Sequence, residues 1–76
     1  MLSGRDVLLI MRAFGFEEHD RRGSHVKLRR VLPDGQKQTL TVPNHVEIDR
    51  GTLHAIFRQA CRFIPESELR PEFFTD

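Results

Sequence analysis

Two short runs of alternating apolar and polar residues, joined by Pro33-Asp34-Gly35, constrain this chain more than anything else in it. In the first, Val26 and Leu28 alternate with His25, Lys27 and Arg29; in the second, Gln38, Leu40 and Val42 alternate with Lys37, Thr39 and Thr41. A period of two belongs to a strand with one face packed and the other in water. Pro-Asp-Gly supplies the turn between them. Upstream, Phe16 to His19 begins directly after Gly15 and suits a further strand at a sheet edge, and Asp20-Arg21-Arg22-Gly23 is expected to turn the chain into the His25 strand. The predicted unit is a three-stranded meander.

Helices flank it. Ser3 followed three residues later by Asp6 is a capping-box start, and Val7, Ile10, Met11 and Phe14 then recur on one helical face until Gly15, which predicts a helix over residues 4–14. Pro43 ends the third strand because it lacks an amide donor, and residues 44–48 read as a loop. Asp49 is placed to cap a second helix over residues 50–61, with Leu53, Ile56, Phe57 and Ala60 as its apolar stripe. Both stripes need the same sheet face, so the fold class is α+β, ordered αβββα, with two helices on one face of a three-stranded antiparallel sheet. That is the layout of double-stranded RNA-binding domains. Residues 1–64 make this domain. Residues 65–76 form a C-terminal extension with a short helical turn over Glu66–Arg70 before Pro71, and Phe73-Phe74 are expected to dock, either in the core or on a partner.

Seventy-six residues suffice for one small core and no deep pocket. A single cysteine, Cys61, cannot close an intramolecular disulfide, and its place on a helix stripe reads as a small hydrophobe. With no charged leader followed by an apolar run, and no apolar segment long enough for a span, a cytoplasmic protein without membrane contact is expected. Charge is unevenly spread: up to Ile64, 11 Lys and Arg meet 7 acids, a net of +4, whereas from Pro65 onward Arg70 faces four acids. A basic body with an acidic tail suits a domain that meets polyanions.

The chemistry concentrates in Arg21 to Arg30. Imidazole titrates near neutrality and serves as general acid or base in cutting RNA by attack of its own 2′-hydroxyl, which requires no metal. His25, at a strand entrance, is the candidate for that role. Lys27 and Arg29 share its face and would hold the phosphate, with Gly23 and Ser24 helping to position it. One histidine leaves a second proton transfer to water, the substrate, His45 or a cation. The same residues also describe an ordinary solvated strand face. Arg30 falls under that plain reading too, Arg21 and Arg22 read as a charged turn, His45 as a structural loop residue and His54 as lying on the outer face of the second helix. The spacing of His19, His25, His45 and His54 fits no zinc motif.

The ordered set Gly15-Phe16, Gly23-Ser24-His25, Pro33-Asp34-Gly35, Val42-Pro43-x-His45 and Gly51-Thr52-Leu53 with Ile56 and Gln59-Ala60 resembles the HicA toxin family of bacterial toxin–antitoxin pairs. The resemblance covers about residues 3–61. It implies a metal-independent messenger-RNA endonuclease of double-stranded-RNA-binding-like fold, without cofactor, in which the histidine after Gly-Ser is essential. It also implies a HicB-like antitoxin that covers this histidine; the free toxin is expected to be a monomer. The alternative from a different class is a non-catalytic RNA-binding module that uses the same basic sheet face for phosphate contacts alone.

Overall fold

A computed structural model describes residues 2–74. The elements run α1 (Gly4–Ala13), β1 (Glu17–Arg22), β2 (His25–Val31), β3 (Lys37–Pro43), α2 (Arg50–Ala60) and α3 (Glu66–Phe73). The sheet is antiparallel in the order β1-β2-β3, as the meander requires.

Each long helix starts where its capping residue dictates. The Ser3 hydroxyl accepts from the Asp6 amide at 3.0 Å while the Asp6 carboxylate accepts from the Ser3 amide at 2.9 Å, a closed capping box. At α2, the Asp49 carboxylate accepts from both the backbone N–H and the hydroxyl of Thr52. These bonds, to Ser3 and Thr52 respectively, hold both carboxyls below their ordinary values. A depressed carboxyl stabilises the fold above its unfolded value and loses that contribution as pH falls through the folded one, so both caps are fully effective at neutral pH.

The core lies between the sheet and the helices. It joins Val7 and Met11 of α1, Phe16, the inward residues Val26, Leu28, Leu40 and Val42 of the sheet, Ile48, and the α2 stripe Leu53, Ile56, Phe57 and Ala60. Ile10 and Phe14 pack on it half-buried. The C-terminal residues enter the same core through Ile64, Leu69 and Phe73. Cys61 caps α2 half-buried, and burial, then the charge of Glu66, push its thiol up. A raised thiol works against thiolate formation.

Four local expectations change. β1 is longer than Phe16 to His19: it continues through Arg22, and only Gly23 and Ser24 separate it from β2. Every β1 residue is exposed, so no alternation marks it, and His19 is an extra residue where the register shifts between Glu18 and Asp20. A bulged, charged edge discourages pairing with foreign strands. Secondly, α3 runs on through Pro71 to Phe73. Pro71 removes only the bond to the carbonyl of exposed Ser67, and burial of Leu69 and Phe73 offsets that loss. Thirdly, His54 is half-buried and stacks on Phe74, ring centroids 4.6 Å apart, so it does not sit on the outer face of α2.

Arg30 is the fourth. It belongs to the inward face of β2, not to the solvated one. Its Nε and Nη2 donate to Gln38 Oε1 at 2.9 and 2.7 Å, Nη1 donates to the Phe14 carbonyl at 2.9 Å, and Nη2 also reaches the Phe63 carbonyl at 3.1 Å. The guanidinium lies over the Phe16 ring, 4.8 Å from its centroid. One side chain thus ties two strands to the ends of both long helices.

Candidate active site

A two-residue loop leaves the chain little freedom, and Gly23 supplies it: its φ of 58° at the first central position is the glycine-first pattern of a type II′ hairpin turn. A Cβ built on Gly23 would meet nothing within 4 Å, so what requires glycine there is backbone conformation and not crowding. The tight turn sets Arg22 directly opposite His25, which in turn faces Pro43 on β3. Lys27 lies in the next row of the same face, between Asp20 and Thr41; Arg29 lies in the row after, between Glu17 and Thr39.

His25 and Lys27 are exposed and Arg29 is half-buried, on the side of the sheet away from Val26 and Leu28. With a rise of about 3.3 Å per residue, Lys27 stands ~7 Å along the strand from His25, and Arg29 ~13 Å. Surface shape follows the same division. His25 lines a shallow hollow with Asp20, Arg21, Arg22, Lys27 and Thr41. Arg29 lines a separate one with Glu17, Glu18 and His19. Lys27 is therefore the same-strand cation nearest His25, and Arg22 joins it from β1.

The sequence places Arg22 in a charged turn, whereas it ends β1. The signal that could have found it is the hairpin itself, since a two-residue Gly-Ser loop makes the preceding residue the cross-strand partner of His25. Arg22 is tethered loosely, with its Nε 3.6 Å from Asp20 Oδ2. Asp20 partly offsets the positive field, but the His25 hollow keeps three guanidinium or ammonium groups against one carboxylate.

Ser24 connects the turn to the loop after β3. Its carbonyl accepts from the Asn44 amide at 2.6 Å, and its hydroxyl and His45 Nε2 form a hydrogen bond of 3.3 Å. His45 does not line the His25 hollow; it faces a neighbouring one with Arg5 and Asn44. Its carbonyl accepts from the Gly4 amide at 2.7 Å, which docks the first turn of α1 on this loop. The approach is so close that a Cβ on Gly4 would fall 2.5 Å from Asn44 Cα, 2.6 Å from the Pro43 carbonyl oxygen and 2.7 Å from the His45 nitrogen. Because all three obstacles are backbone, relief requires the loop to move. Gly4→Ala is expected to cost about 1–3 kcal/mol and to lower the melting temperature by several degrees; an unchanged melt would show that α1 does not clamp the loop.

An exposed imidazole flanked by a lysine on its own strand and an arginine across the hairpin can take a proton from an attacking hydroxyl, or give one to a leaving oxygen, at a bound phosphodiester while the cations hold the phosphate charge. Among the described residues, no three His, Cys, Asp or Glu side chains are grouped to hold a metal ion.

Residues 4–60 match the family model described as the HicA toxin of bacterial toxin–antitoxin, well over half of the chain. No curated protein and no solved structure matched.

Proposed function

Since the chain belongs to the HicA toxin family, one component of a bacterial toxin–antitoxin pair, we propose that it is an endoribonuclease that cuts messenger RNA in the cytoplasm by general acid–base catalysis at His25. The observation that carries this reading is the exposed His25 ring beside Lys27 and opposite Arg22, on the sheet face that no helix covers.

In the proposed reaction the ribose 2′-oxygen bonds to phosphorus and the bond from phosphorus to the 5′-oxygen breaks. His25 takes the proton from the 2′-hydroxyl or delivers one to the departing 5′-oxygen, and solvent or the substrate handles the other transfer. Lys27 and Arg22 hold the non-bridging oxygens, which gain charge in the transition state. Arg29, one row beyond Lys27, holds the adjoining stretch of backbone. Gly23 and Ser24 set the turn from which His25 projects, with Ser24 held in place by Asn44 and His45.

No metal has a role in this scheme. Cleavage in excess chelator is therefore expected to proceed at the rate seen without it, giving a 2′,3′-cyclic phosphate and a 5′-hydroxyl. Mass spectrometry of a defined oligonucleotide reads both ends. Loss of activity in chelator, or 5′-phosphate ends, would refute the scheme.

The antitoxin partner follows from the family. That it is HicB-like, and that it neutralises a monomeric toxin by covering the His25 hollow, belongs to the proposal.

A further inference from the structure

The hollow of His25 does not end at β1. Arg21 forms part of its rim and also part of the rim of a second hollow, lined further by Ser3, Arg5, Leu8, Asn44, His45 and Val46. Its chemistry differs from that of the other depressions: among the described residues no carboxylate lines it, whereas the groove between α1 and β1 carries Glu17 and Glu18. Arg21 is engaged by Glu18 at 2.8 Å. Arg5, by contrast, forms no salt bridge among the described residues, although its charge helps to lower the nearby Asp6 carboxyl. The Asn44 backbone N–H is committed to Ser24, but its side-chain amide makes no hydrogen bond among the described residues and keeps donor and acceptor for a ligand. Beside it, Val46 is 95% exposed, the most exposed large apolar side chain among the described residues, and Leu8 is half-buried.

A cation outside any salt bridge, a free amide and two accessible apolar side chains together suit one nucleotide: phosphate, base edge and base face. We propose that this hollow is a base-binding subsite for the nucleotide adjoining the scissile linkage, with the base against Leu8 and Val46, its edge read by Asn44 and its phosphate held by Arg5. The strand reaches it by crossing Arg21. A base enters such a hollow only when splayed from its neighbours, so the substrate is single-stranded where it is cut, despite a fold whose relatives in shape grip duplexes. This assignment rests on the ribonuclease reading and adds a source of sequence preference to it.

The test uses two measurements on the whole chain. Uncut binding is read as fluorescence anisotropy of labelled single-stranded oligonucleotides with His25→Ala as background; preference is read by sequencing the products that a protein with intact His25 makes from a random RNA pool. Arg5→Ala is expected to weaken binding by about tenfold at low salt, with the loss carried by KM and partly restored in Arg5→Lys. Asn44→Ala is expected to flatten the base preference at one position beside the cut. All substituted residues are exposed or half-buried, and thermal melts verify the fold of each variant. Wild-type affinity and an unaltered product profile in Arg5→Ala, Asn44→Ala and Val46→Ala, from a protein that still cuts RNA, would overturn the subsite alone. Variants that lose only affinity for the antitoxin would overturn it in favour of a protein contact. A wild-type protein that neither binds nor cuts RNA would remove the ribonuclease reading and the subsite together.

Discussion

Replacing His25 with alanine is expected to abolish RNA cleavage while leaving the fold and the affinity for RNA nearly intact. Removal of a positioned general acid or base typically costs about 10²–10⁴ in rate, and here, among the described residues, no second imidazole lines the hollow to take over. Little structural cost accompanies the loss. The ring is exposed, it makes no hydrogen bond among the described residues, and the backbone ladder of β2 does not depend on the side chain. Surface changes of this kind usually alter stability by no more than about 0.5 kcal/mol. Affinity survives because Lys27, Arg22 and Arg29 remain to meet phosphate. The measurements are a labelled-RNA gel, anisotropy with the same RNA, and a thermal melt. Full cleavage by a nuclease-free His25→Ala preparation would sink the catalytic assignment. Uncut RNA with the wild type as well, at measurable affinity, would favour the non-catalytic RNA-binding module.

The elements that bury a face were legible in the sequence because burial imposes a period. Val26, Leu28, Leu40 and Val42 announce β2 and β3, and Leu53, Ile56, Phe57 and Ala60 announce α2; each of them is in the core. The end of β1 was not legible for the complementary reason. Its residues bury nothing, so Asp20, Arg21 and Arg22 look like any charged turn until Gly23 is seen to carry the whole reversal with Ser24. The same lack of a period hides Arg22, the cation nearest His25 across the hairpin. The pairing of Ser24 with His45 was hidden differently. Twenty-one residues separate them, and only the return of β3 beside β2 brings the loop back to the turn. The half-buried place of His54 is not legible because its partner is Phe74, beyond a proline that usually closes a helix.

Arg30→Ala is expected to be the most damaging single change to stability outside the apolar core. Composition gives no hint of this, since Arg30 follows Lys27 and Arg29 and looks like one more solvated cation, yet the period of β2 places it with Val26 and Leu28. A bare charge could not stand there. It is tolerated because the fork of the guanidinium is filled: Gln38 accepts twice, and the Phe14 and Phe63 carbonyls once each. Those two carbonyls lie where α1 ends and just after α2. Truncation removes all four interactions and the contact over Phe16, and it leaves acceptors in a half-buried place. Each such group costs about 1–3 kcal/mol where water cannot reach it fully, so a total near 3 kcal/mol is the expected loss. For a domain of this size, whose whole stability is on the order of 4–11 kcal/mol, that lowers the melting temperature by more than about 10 °C. Arg30→Lys should recover only part of it, because an ammonium keeps the charge but cannot span Gln38 and both carbonyls at once. A denaturant titration of the three proteins decides the matter. If Arg30→Ala unfolds within about 0.5 kcal/mol of the wild type, Arg30 is a surface cation after all and the ends of the two helices are held by packing alone. If Lys restores full stability, charge and not the geometry of the fork is what this position requires.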